Sequence, residues 1–230
     1  MFVTKEKSFF ASASQNLGRG SLPVFLFYGL ISAASVGLLL YRVWMSGSAT
    51  FLFLGWNLFL AWIPFLISNW LVSKPERKSW MIVLALGAWL PFFPNAPYIL
   101  TDLFHLRARP GVPLWLDLIL LISFAWTGLL LGLNSLRQIQ VWLFDRWGAG
   151  WSWISVSVVL LLSSFGVYLG RYLRWNSWDI LQRPGELIAD IFDIILHPFV
   201  HDKATGFTLA FCFFLLMAYG SIVFKLNQNR

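Results

Sequence analysis

Asp102 and His105 stand three residues apart just beyond a proline-rich apolar stretch, and on a helix that spacing sets a carboxylate and an imidazole on one face, within reach of a common ion or proton. Asp117, four residues past Pro113, opens another apolar run; an ionisable group just inside a span is costly and marks a functional candidate. These three residues form the candidate catalytic set. Each also has a structural reading. Thr101 or Asp102 can cap a short interfacial helix while His105 faces water, and Asp117 can sit shallow enough to meet interfacial water or pair with an arginine.

Tyr168, Arg171 and Arg174 repeat at three-residue spacing from the end of an apolar run. Guanidinium groups grip phosphate or carboxylate through two parallel hydrogen bonds. Tyr98, Arg171, Arg174, Asn176 and Asp179 are the candidate substrate-binding residues, the substrate being a phosphate-bearing or carboxylate-bearing group. The structural alternatives for the arginines are snorkelling to anionic headgroups or an ion pair with Asp102, Asp117 or Asp179.

Farther along, Glu186, Asp190, Asp193 and His197 fall on one narrow helical stripe, and nearly every other position from Leu187 to Leu196 is apolar. Pro184 suits a first turn and Pro198 stops a last one. Such a helix is about 18 Å long, too short to span a membrane unaided, and is expected to lie in the interface or to dip in and return. The stripe can ligate a divalent cation, relay protons or meet the arginines, or it can simply face water as the polar side of an interfacial helix.

What must position these groups is a membrane architecture. Of 230 residues 58% are hydrophobic and 12% charged, with 14 Trp and 22 Phe, against about a quarter charged in soluble domains. The net charge of +7 sits between apolar runs, where Lys and Arg orient helices, which excludes nucleic acid as a partner and leaves membrane lipid. A lone cysteine, Cys212, rules out an intrachain disulfide or a thiolate cluster.

Six segments are long and apolar enough to cross: 22–44, 49–72, 80–100, 114–136, 151–170 and 204–224. The expected fold is an all-α polytopic transmembrane bundle, with a polar tail over 1–21, a single membrane domain over 22–224 and a polar tail over 225–230. Pro91, Pro94 and Pro97 break the third span, and its last turns are expected to be non-helical. Asn57, Asn69 and Asn134 should join helices by hydrogen bonds. Lys5, Lys7, Arg19, Lys74, Arg77 and Lys78 place both termini in the cytoplasm, although Arg171, Arg174, Arg183 and Lys203 then fall outside. In either orientation, six spans put the loops after spans three and five on one side.

The strings from Phe93 to Leu106 and from Ser164 to Asp179 resemble those of a bacterial membrane family, domain of unknown function 1361. The likeness covers most of the chain after about residue 45. It implies a multi-pass protein of the bacterial plasma membrane and brings no activity with it. Signatures of zinc peptidases, nucleophile elbows, P-loops and dinucleotide-binding turns are absent. Three functions remain open: a membrane-embedded enzyme acting on a lipid or lipid-linked phosphate headgroup, a small-solute or proton-coupled transporter, and an assembly partner of a membrane complex.

Overall fold

The computed structural model describes residues 21–74 and 77–228. The N-terminal tail with Lys5, Lys7 and Arg19 lies outside them, as do residues 229–230, so the orientation expected from that tail has no structural counterpart. The described chain is all α-helical apart from turns, one 3-10 segment and an isolated bridge between Arg109 and Val112. Five of its helices are long and apolar enough to cross a membrane. The all-α polytopic class expected from composition is the one observed.

By its internal contacts the chain falls into two compact units, Met1–Ser152 and Trp153–Arg230. In the first, α1 (Ser21–Ser46) is followed by α2 (Phe53–Val72) and α3 (Ser79–Phe92). Gly47, with φ +62°, turns the chain out of α1, a conformation that a side chain resists. Next come the single turn α4 (Asn95–Tyr98), a 3-10 helix (Ile99–His105) and α5 (Leu114–Tyr172).

The proline-rich stretch differs from expectation. Phe93 and Pro94 both hold right-handed helical angles, with φ −57° and −58°, and the chain continues as short helical turns where non-helical backbone was expected. Proline's fixed φ suits a helix; what it removes is a donor. The Asn95 amide compensates by donating to the Phe92 carbonyl at 2.9 Å, and the Tyr98 N–H reaches Pro94 O at 2.9 Å.

The fourth and fifth spans also differ. The loop expected between residues 136 and 151 is helical, and α5 is interrupted only at Gly148, where φ +79° and ψ −178° are open to glycine alone. Residues 114–147 and 149–172 are therefore two helical stretches joined at Gly148 without a loop, where two separate spans were expected.

Tyr28, Phe51, Leu54, Phe65, Ala96, Ile99, Leu120 and Phe124 belong to the core of the first unit. Hydrogen bonds stitch its helices across this core. Asn134 donates to the Tyr28 hydroxyl (2.8 Å), Ser68 to the Gln138 side chain (2.7 Å), and Trp89 to Ser135 (2.7 Å), which itself donates to the Pro64 carbonyl (2.9 Å). Gly128 and Gly132 bring α5 against α4: a Cβ on Gly128 would lie 2.8 Å from Ala96 O, and one on Gly132 2.8 Å from Ala96 Cβ. That is the small-xxx-small contact of packed membrane helices.

The second unit holds residues 153–172 of α5, the single turn α6 (Asp179–Gln182), α7 (Pro184–Leu196) and α8 (Asp202–Gln228). Leu187, Ile194 and Ala204 close on Tyr168 and Leu169, with Phe165, Trp175, Ile191 and Phe207 packed around them. Cys212 is buried in α8. The C-terminal stretch expected as a tail from 225 is helical through Gln228.

Candidate functional site

The charged groups of the first unit gather where α1 ends, α2 begins and the chain enters α5. Arg42, in the last turns of α1, donates through Nε to Asp117 Oδ1 at 3.1 Å. Its Nη1 donates to Ser46 Oγ (3.1 Å) and to the Ser48 carbonyl (3.2 Å), both supplied by the turn that Gly47 makes. Arg109, on the loop before α5, donates to Asp117 Oδ2 at 3.0 Å. One carboxylate thus uses both oxygens on two guanidinium groups, and Phe51, fully buried, presents its ring to both at 4.9 and 4.6 Å. The Arg42 and Asp117 side chains are each 1% exposed and that of Arg109 is 22%, so the cluster reaches the surface through Arg109.

Asp102 and His105 lie on the 3-10 helix beside it. The Asp102 carboxylate accepts from Asn57 Nδ2 at 2.8 Å, while His105 Nδ1 faces the Asp102 backbone carbonyl at 3.3 Å. The pair shares one face, as three-residue spacing requires on a 3-10 helix, and the imidazole addresses the Asp102 main chain. Phe53 packs on the His105 ring at 5.0 Å, and Arg109 Nη2 donates to His105 O at 3.2 Å. Thr101 is no N-cap; its hydroxyl donates back to Tyr98 O at 2.7 Å. Tyr98 is half-buried at the end of α4.

An arginine partner for Asp117 was among the expectations; which arginines supply it was not. Both arginine partners come from this unit, Arg42 from 75 residues upstream and Arg109 from the adjacent loop. The usable signal was Arg42 itself: a cation inside an apolar run calls for a buried anion as surely as Asp117 calls for a cation.

In the second unit, α5 ends at Tyr172 and Arg174 follows with φ +61°. The stripe expected from Tyr168 through Arg171 to Arg174 therefore breaks: Arg174 is off the helix, exposed, in the left-handed region that non-glycine residues seldom adopt. Tyr168 stacks on Tyr172 at 5.0 Å and Phe207 packs on both, so Tyr168 belongs to the core. Asp179 is buried and accepts from the Asn176 N–H (2.7 Å), the Asn176 amide (3.2 Å) and Arg183 (3.5 Å). Those donors, the Asn176 N–H first, hold its carboxyl below the ordinary aspartate range. Asn176 and Asp179 thus close the turn into α6.

α7 presents three faces. Leu187 and Ile194 are buried with Ile191 packed beside them; Ile188, Phe192 and Ile195 are exposed; Glu186, Asp190 and Asp193 run along the remaining side. The acids take separate partners. Asp190 accepts from Trp175 Nε1 at 2.8 Å, Glu186 lies 3.6 Å from Arg183, and Asp193 meets His197 Nδ1 at 3.0 Å and His201 Nε2 at 2.8 Å. The two imidazoles, His201 foremost, lower the Asp193 carboxyl below the ordinary range. His197 caps the helix from beyond its last residue. Among the described residues no group of three or more His, Cys, Asp and Glu is placed to hold a metal ion.

The family described as Protein of unknown function (DUF1361) matches residues 56–218, well over half of the chain. The chain belongs to that family. The DUF1361 match takes in every candidate site residue from Tyr98 to His197, together with Arg109, but begins after Arg42 and Phe51. No curated protein and no solved structure matches the chain.

Proposed function

We propose that this protein is a membrane-embedded enzyme of the bacterial plasma membrane that acts on a lipid or lipid-linked phosphate headgroup, taken at the Arg109–His105 end of the first unit. The observation that carries the reading is the two-to-one ratio of guanidinium groups to carboxylate around Asp117. Two cations on one anion leave a surplus positive charge, and Arg109 is the member that reaches the surface, where a phosphate can meet it.

His105 supplies the group able to move a proton. With Nδ1–H directed at the Asp102 carbonyl, Nε2 becomes the basic nitrogen, the tautomer a general base requires. Arg109 is bonded to the His105 carbonyl, so cation and base share one short loop. α7 then lies along the membrane boundary, with Ile188, Phe192 and Ile195 in the lipid and its acids toward water.

A registry role for the same charges is favoured by the complete burial of Arg42 and Asp117, since ion pairs so buried can serve to fix helix register. One experiment separates the two. A strain lacking the gene is complemented with wild type, His105→Gln or Arg109→Gln, and its lipids and lipid-linked phosphates are quantified by mass spectrometry together with protein abundance. The enzyme reading expects normal abundance with an accumulated headgroup precursor for both variants. A wild-type lipid profile in both overturns it.

A further inference from the structure

At the far end of α2 from Phe51, about 30 Å along the helix at 1.5 Å per residue, the first unit carries an apolar groove of about 560 Å³ between α2 and α3. Leu66 and Trp70 line it from α2, and Trp80, Leu84, Ala85 and Ala88 from α3. On the α3 side, Ala85 and Ala88 are the small residues of the groove's lining.

Its rim is basic. The connection from Ser73 to Ser79 carries Lys74, Arg77 and Lys78 against one acid, Glu76. Lys74 and Lys78 are exposed, and none of the three cations makes an ion pair among the described residues. Arg77 stacks on the Trp70 ring at 3.5 Å and donates to Trp70 O and to Ser73 Oγ (3.1 Å), which fixes its charge beside a tryptophan that lines the groove. Its Nε is buried and has no hydrogen-bond partner among the described residues. α3 begins at this rim with no acid in its first turn and no side-chain cap on its first N–H groups, which adds positive potential at the same level.

We infer that this groove is a binding site for one anionic phospholipid, an acyl chain lying against Leu66, Leu84, Ala85 and Ala88 and the phosphate held by Lys74, Arg77 and Lys78. Charge complementarity selects the occupant. An apolar trough alone takes any acyl chain, whereas three cations at the depth of the headgroup, each favouring an anionic lipid about fivefold, discriminate against a zwitterionic one. The trough with its two tryptophans at the mouth distinguishes a lipid from a free phosphate, which has nothing to place there. The site lies at the opposite end of α2 from the Arg109–His105 cluster and does not depend on the proposed activity.

The test is native mass spectrometry of the full chain released from nanodiscs, titrated with phosphatidylglycerol and with phosphatidylcholine of identical acyl chains. The wild type is expected to retain one phosphatidylglycerol with at least about tenfold preference. Neutralising the rim with Lys74→Gln, Arg77→Gln and Lys78→Gln together should bring the two lipids level, with the charge-state distribution of the folded chain retained. Ala88→Phe, which fills the trough, should weaken both lipids while the monomer's charge-state distribution stays that of the folded chain. Equal retention of the two lipids by the wild type, a preference that survives the triple neutralisation, or equal displacement by glycerol phosphate without acyl chains overturns the proposal.

Discussion

The Asp117 cluster of the first unit and the Asp193 cluster of the second share one pattern, a carboxylate between two nitrogen-bearing side chains, guanidinium groups in the first and imidazoles in the second. They differ in where the charge sits. Asp117 and Arg42 are almost entirely shielded, whereas Asp193 is 59% exposed and its histidine partners are 57% and 31% exposed. Burial turns a pairing into an obligation, because removing one partner strands the other without water; in the exposed cluster, solvent replaces whatever is lost. The same three-group pattern therefore weighs heavily on packing in one place and lightly in the other.

The sharpest way to break this comparison is Asp117→Ala. With two guanidinium groups left against a buried Phe51 ring, the first unit should lose about 3–5 kcal/mol, read as a large fall in the denaturation midpoint in detergent. A shift no larger than that of Asp193→Ala would end the distinction. Next in size is the contact that brings α5 and α4 together. Gly132→Val drives a side chain into Ala96 and should cost about 1–3 kcal/mol by the same measurement, whereas Gly87→Val, which meets open space, should show no such steric loss.

Smaller and of opposite sign is Arg174→Gly, which relieves a left-handed backbone and should stabilise the second unit by about 0.5–1 kcal/mol. Smallest is the acid response of Asp193. Its carboxyl titrates lower in the folded chain than the ordinary 3.8, so its contribution is fully present above that value and is lost as pH falls below it through the folded value. Imidazole resonances of His197 and His201 in nuclear magnetic resonance should follow that transition in the wild type and lose it in Asp193→Asn, with little change in the melting midpoint.

How much of this was legible in the sequence follows from range. Apolar runs of spanning length located α1, α2 and α8, and Pro184 and Pro198 bracketed α7 almost to the residue, since both signals are local. The proline stretch misled because its helical angles depend on a compensation, the Asn95 amide on Phe92 O, that a breaker rule ignores. The helical run through 137–150 was hidden by its charges and glycines, although Gly148 marked where it must break. Gly128 and Gly132 stood at the spacing of a close helix contact and were readable. Which cation meets Asp117 was not: Arg42 is far away along the chain, and only packing brings it there. Asp102, His105 and Asp117 all fall in the first unit, while Arg174 fell off its stripe for a reason, a left-handed turn, that spacing cannot reveal.

Cys212 has a practical consequence. With one thiol in the chain, buried among apolar neighbours, Cys212→Ala removes all sulfhydryl chemistry at little cost in packing, and any position then rewritten as cysteine carries a single reporter. Membrane-impermeant maleimide applied to such variants at Lys78 and at Arg109 would assign each end of α2 to its compartment, a distinction the charge pattern of the loops only outlines.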